Sequence, residues 1–328
     1  MTVLVTGAAG FIGLHTARAL LDRGERVIGI DNLDPYYDPA LKRARLAELD
    51  GRNGFSLVEI DFADRDAMAA FDAAHPEIDR IIHLGAQAGV RHSIEQPFDY
   101  LHSNLMGHLV VMEMARHRMD KGLKHFVYAS SSSVYGANRD IPYSTDHQSD
   151  QPMSFYGATK KSCEVMSHSY ASLYDVPSTG LRFFTVYGPW GRPDMSPWLF
   201  TERILRGEPI QVFNHGRMKR DFTYIDDIVA GVLAALDHPP ARRGDAAPAA
   251  IYNLGNNGAV ALLDYIRVIE KACGRDAELI MKPMQPGDVL ETYADIAAST
   301  RDLGYQPSTA IEVGIPKFVD WFKTYHGL

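Results

Sequence analysis

The chain has 328 residues, 46% of them apolar and 23% charged, with a formal net charge of −8. That length supplies a sizeable core in one large or two smaller domains, and the acidic balance without a Lys/Arg-rich block argues against a nucleic-acid partner. Two cysteines, Cys163 and Cys273, and thirteen histidines without a His-Glu-x-x-His pattern give no disulfide framework and no metal site.

The first strand begins at the second residue of "MTVLVTGAAGFIG", leaving no charged leader or apolar stretch of signal-peptide length. No window reaches the roughly 18–20 apolar residues of a membrane span, so a soluble cytoplasmic protein without membrane contact is expected. Gly7, Gly10 and Gly13 follow that strand and open a helix, with Phe11 and Ile12 between them. Glycines so placed let backbone N–H groups and a helix N-terminus meet a pyrophosphate.

Short apolar runs then recur with helical stretches between them. After "VLVT" (3–6) come "RVIGI" (26–30), "FSLVEI" (55–60), "RIIHLG" (80–85), "HFVYAS" (125–130) and "STGLRFF" (178–184). Strands apolar on both faces and separated by helices make a parallel sheet covered on both sides, a doubly wound Rossmann-type α/β fold. Asp31, with Asn32 beside it, ends the second run and is placed to bind the adenine-ribose hydroxyls and to repel a 2′-phosphate, which favours NAD over NADP. Asp61 and Phe62 end the third run near the expected adenine. Leu84, Gly85, Ala86 and Gln87 follow the fourth, where backbone can come close to the cofactor.

The fifth run ends in four hydroxyls, "YASSSSVYG" (128–136), and "SFYGATKKS" (154–162) follows. Strand ends of an open parallel sheet face the ligand crevice, so Ser131 and Ser132 can reach a sugar hydroxyl. Tyr156 and Lys160 are one helical turn apart on one face. A free phenol ionises near pH 10, so a phenolate base at neutral pH needs about 4 kcal/mol of stabilisation, which neighbouring cations favour. Beyond about residue 185 the texture changes, with the loop "YGPWGRPDMSPW", a helix "LFTERILRG" and a strand "PIQVF" (209–213). Residues 1–180 read as a dinucleotide-binding domain and 181–328 as a smaller α/β substrate domain. About 221–256 returns to the first, carrying the helix "YIDDIVAGVLAALD", an exposed loop at 238–250 and the strand "IYNLG".

This combination resembles the extended short-chain dehydrogenase/reductase superfamily of nucleotide-sugar enzymes over nearly the whole chain. "DNLDPYYDPALKRARL", "QAGVRHSIEQP", "RFFTVYGPWGRPDMSPWLF", "GRMKRDFTYIDDIV" and "MQPGDVLETYAD" are similar to the UDP-glucuronate 4-epimerases. The resemblance implies reversible C4 epimerisation of UDP-glucuronate to UDP-galacturonate through transient NAD-dependent oxidation to a 4-keto sugar. By it, Tyr156 is the catalytic base, Lys160 holds the nicotinamide ribose, Ser131 and Ser132 bond the sugar O4, and Asn104 is structural or close to the cofactor. Gln87, Arg91, Arg192, Arg220 and Asp288 fall on the UDP-sugar side, the arginines for the diphosphate, and Val212 would offer backbone to uracil. Ser131, Ser132 and Thr185 are expected to bind the uronate carboxylate through neutral donors.

Related decarboxylases carry Thr-Ser-Glu before Val-Tyr-Gly, where this chain has Ser131, Ser132 and Ser133; the missing glutamate argues for an epimerase. A UDP-glucose/galactose 4-epimerase, a UDP-glucuronate decarboxylase and a non-catalytic NAD-binding sensor are the alternatives, the last of which would be expected to lack the tyrosine, the lysine or the hydroxyl. Gln285 stands where related UDP-galactose 4-epimerases have arginine, and Gly85 where alanine is usual. The helices of "NLMGHLVVMEMA" and "YGATKKSCEVMSHSYASLY" are expected to pair in a homodimer through a four-helix bundle, as relatives do.

Overall fold

A computed structural model describes residues 1–284 and 289–328. The six apolar runs are strands of one parallel sheet: β1 (Thr2–Thr6), β2 (Arg26–Asp31), β3 (Phe55–Glu59), β4 (Arg80–His83), β5 (His125–Ser131) and β6 (Ser178–Phe183). The Ala249–Leu254 strand adds to the edge beside β6, so the order across the sheet is Ala249–Leu254, β6, β5, β4, β1, β2, β3. The chain therefore leaves β1 in one direction through β2 and β3 and in the other through β4, which makes the gap between β1 and β4 the topological switch point.

Alternation along the strands explains why both faces are apolar. Val3, Val5, Val27 and Val127 point into a core shared with the α1 helix (Phe11–Asp22) and the Ile225–Asp237 helix. Leu4, Ile28, Phe126 and Tyr128 point the other way, onto Met68, Val111 and Cys163 of the Arg65–Ala74, Gly107–His117 and Phe155–Tyr174 helices. Each large apolar side chain buried in these layers contributes about 1.5–3 kcal/mol. β4 stops at His83, two residues short of the expected run, because the chain turns away there and the Gly85 N–H donates to Thr6 Oγ1 at 3.1 Å.

Smaller strand pairs lie outside the main sheet. The Thr185–Tyr187 strand pairs with Phe222–Tyr224, and Ile210–Val212 pairs with Leu279–Met281. The Ser196–Arg206 helix starts three residues before the expected segment because Pro197 suits a first helical turn, and it ends at Gly207 with φ +74°. Trp190, Trp198 and Trp321 join the Ile311–His326 helix to the loop that precedes Arg192, with ring centroids 5.1 Å (Trp190–Trp321) and 5.6 Å (Trp198–Trp321) apart. No helix among the described residues is long and apolar enough to cross a membrane.

Candidate active site

The switch point opens into a cleft of about 850 Å³. Its floor is the turn after β1. Gly7 has φ +71°, and a methyl group there would lie 2.8 Å from the Gly85 backbone; at Gly13 it would lie 2.0 Å from the Gly7 carbonyl. Only glycine permits that packing. The α1 helix starts at Phe11 behind Gly10 with no side-chain cap and no acidic residue in its first turn, so its N-terminal donors face the cleft without a competing carboxylate. Such a helix start accepts a pyrophosphate, and Gly7, Gly10, Phe11, Ile12 and Gly13 all line the cleft.

Asp31 and Asn32 line the same end. Asp31 is buried and does double duty: its carboxylate accepts the Ala9 N–H at 3.0 Å and the Leu33 N–H at 2.9 Å, and Lys42 lies 3.8 Å away. These bonds fix the carboxylate beside the glycine turn, where a ribose diol would meet it. Phe62, Leu84, Gly85, Ala86 and Gln87 form the adjoining wall. A methyl at position 85 would come within 2.5 Å of the Phe62 ring, which accounts for glycine where alanine was the expected residue.

Asp61 and Val212 are placed differently from the expectation, and Asn104 takes the structural one of its two expected roles. The Asp61 carboxylate accepts the Ala63 N–H at 2.8 Å and pairs with His102 Nε2 at 2.7 Å, outside the cleft lining. Asn104 lies in a π-helical turn, Leu101–Met106, an element frequent at functional sites. Its amide accepts from the Gln87 N–H and donates to the Gln87 carbonyl and to Thr159 Oγ1, at 2.8–3.0 Å, so it holds the wall from behind instead of facing a ligand. Val212 is fully buried and its carbonyl accepts from the Lys282 N–H; its neighbours Gln211 and Phe213 line the cleft. Asp288 and Gln285 lie outside the described residues.

Across the cleft, Tyr156 and Lys160 do share a helix face. Ser154 caps the Phe155–Tyr174 helix by accepting the Gly157 N–H at 3.0 Å, and the Tyr156 N–H donates to Ser93 Oγ at 3.1 Å. Lys160 is buried and donates from Nζ to the Ala129 carbonyl at 2.9 Å, on β5 just before the serine run. Ser131, Ser132, Tyr156, Lys160 and Thr185 all line the cleft. The Ser131 hydroxyl accepts the Ser133 N–H and donates to Ser133 Oγ. Beneath it, Ser130 donates to Glu164 at 2.7 Å, and Arg182 closes two bonds on the same carboxylate at 2.8 and 2.9 Å. That buried pair fixes the end of β5, and no local pattern in the sequence announces it. Under the same wall, burial and then the Lys160 charge push His108 down to about 3, so it stays neutral.

The cations sit at the outer end. Arg192, Arg91 and Arg220 line the cleft. Arg91 lies over the Phe213 ring, 5.4 Å from its centroid, and Arg220 donates to the Lys219 carbonyl at 2.9 Å. Arg192 holds Asp194 in a two-point bond, at 3.0 and 2.5 Å. Burial opposes its charge, and the Asp194 carboxylate more than offsets burial, so the guanidinium remains cationic. Asp194 also accepts from the Tyr36 hydroxyl at 3.0 Å, and both residues line the cleft, though neither was singled out by residue pattern.

A family model described as the NAD dependent epimerase/dehydratase family matches residues 3–255. UDP-glucuronate 4-epimerase 4 of Arabidopsis thaliana is 45% identical over 336 residues, which cover 99% of this chain and 76% of that protein. The crystal structure of a UDP-glucuronic acid 4-epimerase from Bacillus cereus, in complex with UDP-glucuronic acid and NAD, superposes with a TM-score of 0.90 at 34% identity, covering 99% of this chain and 100% of the other. A UDP-glucose 4-epimerase from Thermotoga maritima, solved with UDP-glucose, gives a TM-score of 0.87 at 30% identity with 99% and 100% coverage. With the glycine turn, the acid ending β2 and the Tyr156–Lys160 face in one cleft, the chain belongs to the NAD dependent epimerase/dehydratase family.

Proposed function

We propose that the chain catalyses the reversible C4 epimerisation of UDP-glucuronate to UDP-galacturonate with NAD as its resident cofactor. The observation that carries this reading is the meeting of Tyr156, Lys160 and the β5 serines in one cleft with the uncapped α1 start. The glycine turn, Asp31, the Phe62 to Gln87 wall and Lys160 would hold NAD, which when bound takes the C4 hydride and returns it. Tyr156 removes the O4 proton and gives it back. Lys160, anchored on Ala129, presents its charge from the same helix face. Ser131 and Ser132 orient O4, and Arg192 and Arg220 hold the diphosphate while the 4-keto sugar swings about that link to offer its other face. Residues 1–180 with about 221–256 serve the cofactor and the rest of 181–328 the UDP sugar, a division supported by the Ala249–Leu254 strand joining β6 and the Ile225–Asp237 helix packing on α1.

A 4-keto uronate is a β-keto acid and loses CO₂ when its carboxylate bond stands perpendicular to the carbonyl plane. Ser131, Ser132 and Thr185 are the neutral donors we assign to holding the carboxylate out of that alignment. Incubation with UDP-glucuronate and no added NAD, followed by NMR, should yield the galacto isomer; a UDP-pentose with CO₂ would establish a decarboxylase, and no change would reject a uronate substrate. In the same assay Thr185→Val should lower turnover and raise the decarboxylated fraction, and parental values for both would remove Thr185 from the carboxylate site.

We further propose a cytoplasmic homodimer. Cys163 and Cys273 are both free thiols, which suits a reducing compartment. Ile94 and Phe98 are 64% and 78% exposed, and Val165 and Leu173, two turns apart on the Phe155–Tyr174 helix, are 59% and 68% exposed, an apolar face that a second copy would cover. Light scattering should give twice the chain mass for the parent and a monomer for Val165→Glu; a monomeric parent would reject the dimer.

A further inference from the structure

Beside the contact of His15 Nε2 with the Pro189 carbonyl at 2.9 Å, the loop carrying Arg192 is fastened to the first half of the chain by two residues of one segment, the one that follows the ribose-side Asp31. Arg45 is fully buried, and no carboxylate lies within ion-pair distance of it among the described residues. Its guanidinium is spent on neutral oxygens. Nε and Nη2 donate to the Trp190 carbonyl at 3.1 and 2.8 Å, Nη2 also to the Gly191 carbonyl at 3.2 Å, and Nη1 to the Ala9 carbonyl at 3.1 Å and the Tyr37 hydroxyl at 2.6 Å. Ala9 belongs to the glycine turn, so one side chain bolts that turn to the two residues that precede Arg192.

The backbone at Trp190 needs such a bolt. Its φ is +65°, a left-handed conformation that a bulky side chain adopts only when its surroundings impose it. Two residues beyond Arg192, Tyr36 makes the second attachment: its hydroxyl donates to Asp194 at 3.0 Å, and Asp194 in turn takes two donors of Arg192. Burial, then the Asp194 charge, push the Tyr36 phenol up to about 12, so it stays a donor at any working pH. The Tyr36 ring is itself fixed against His92, 4.7 Å between centroids.

We infer that Tyr36 and Arg45 are positioning residues that hold the 190–194 loop from both sides of Arg192 and thereby aim its guanidinium at the diphosphate of the UDP sugar. With Nε and one hydrogen of Nη2 committed to Asp194, the remaining donors point in one fixed direction, and a preset direction removes the ordering cost of a long cationic side chain on binding. The inference rests on the UDP-sugar reading given above.

The test is UDP binding to the NAD-loaded protein, read by tryptophan fluorescence. All three tryptophans of the chain belong to one cluster, Trp190 within this loop and Trp198 and Trp321 packed behind it. Tyr36→Phe keeps the ring on His92 and removes the hydroxyl, with its bond to Asp194 and its contact with Arg192. It should weaken UDP binding about 10-fold, the usual scale for a hydrogen bond to a charged group, and raise KM for UDP-glucuronate in parallel while kcat stays within about 2-fold, the split expected when uniform binding is lost. Arg45→Lys should weaken UDP binding at least as much; should that variant not fold, Tyr36→Phe decides alone. Parental UDP affinity in Tyr36→Phe, or a fall in kcat with affinity unchanged, overturns the inference. Because binding is read without turnover, that failure is distinct from a parent protein that makes no galacto product, which would sink the epimerase reading.

Discussion

Tyr156→Phe should lower kcat on UDP-glucuronate by about 10³-fold, within the range that general acid–base groups contribute, and leave UDP affinity unchanged. The substitution is conservative in packing. The Tyr156 ring meets Tyr100 edge-on at 6.1 Å through carbon, and its N–H bond to Ser93 belongs to the backbone, so both persist in phenylalanine. What disappears is the phenolic oxygen one turn before Lys160, whose ammonium is positioned on Ala129 independently of the phenol. The other cleft phenols are occupied or raised: the Tyr37 hydroxyl accepts from Arg45 at 2.6 Å, Tyr36 is pushed up to about 12 by burial and the Asp194 charge, and burial raises Tyr143 as well. Progress curves by NMR, with UDP titrations on the same samples, check the split. Turnover within about 10-fold of the parent would mean that the proton leaves by another route.

The path from sequence to site was short where the residues obey a local rule and broke where a partner lies far along the chain. Six strands were legible because burial on both faces leaves continuous apolar runs, and the strand ends then place Gly7, Asp31, Phe62, Gln87 and Ser131 around one crevice without further information. The Tyr156–Lys160 face follows from helical periodicity. Nothing local says that Asp61 would be taken by His102, 41 residues away, or that Asn104 would serve Gln87 from behind the wall. Arg45 reaches Trp190 across 145 residues and Tyr36 reaches Asp194 across 158. In the sequence these are an ordinary helix arginine and a loop tyrosine; their roles exist only because the fold buries Arg45 against carbonyls and brings the half-buried Tyr36 onto a carboxylate. Gly85 shows the same limit in steric form, since the residue it makes room for, Phe62, is on another strand end.

Acidification from pH 6.5 toward 4 should unfold the protein in a transition steeper than exposed carboxylates would give. Burial is the chief cause that pushes His15 and His125 down to about 4 and His108 to about 3, and it holds His83 well below its usual value. In the unfolded chain each would titrate near 6.5. A folded-state pKa below the unfolded one means that the unfolded chain binds more protons in that window, so the stability from each neutral imidazole is fully present above pH 6.5 and is lost as pH falls toward its folded value. For His15 and His125 the shift is worth about 3 kcal/mol each, a large part of the roughly 5–15 kcal/mol that holds a domain together. Glu164 and Asp194, kept below the usual carboxylate range by Arg182 and Arg192 against the opposing effect of burial, act in the same direction below about pH 4.5. Burial raises Asp221 and Glu25, which act oppositely and temper the slope. Urea unfolding at successive pH values should show an uptake of at least two protons between pH 6.5 and 4.5. His125→Gln, which retains groups able to bond the Leu236 carbonyl and Thr179 hydroxyl that the imidazole now meets at 3.1 and 2.9 Å, should reduce that uptake by about one proton. A flat stability profile across the window, or an unaltered slope in His125→Gln, would show that these imidazoles take up protons without opening the fold.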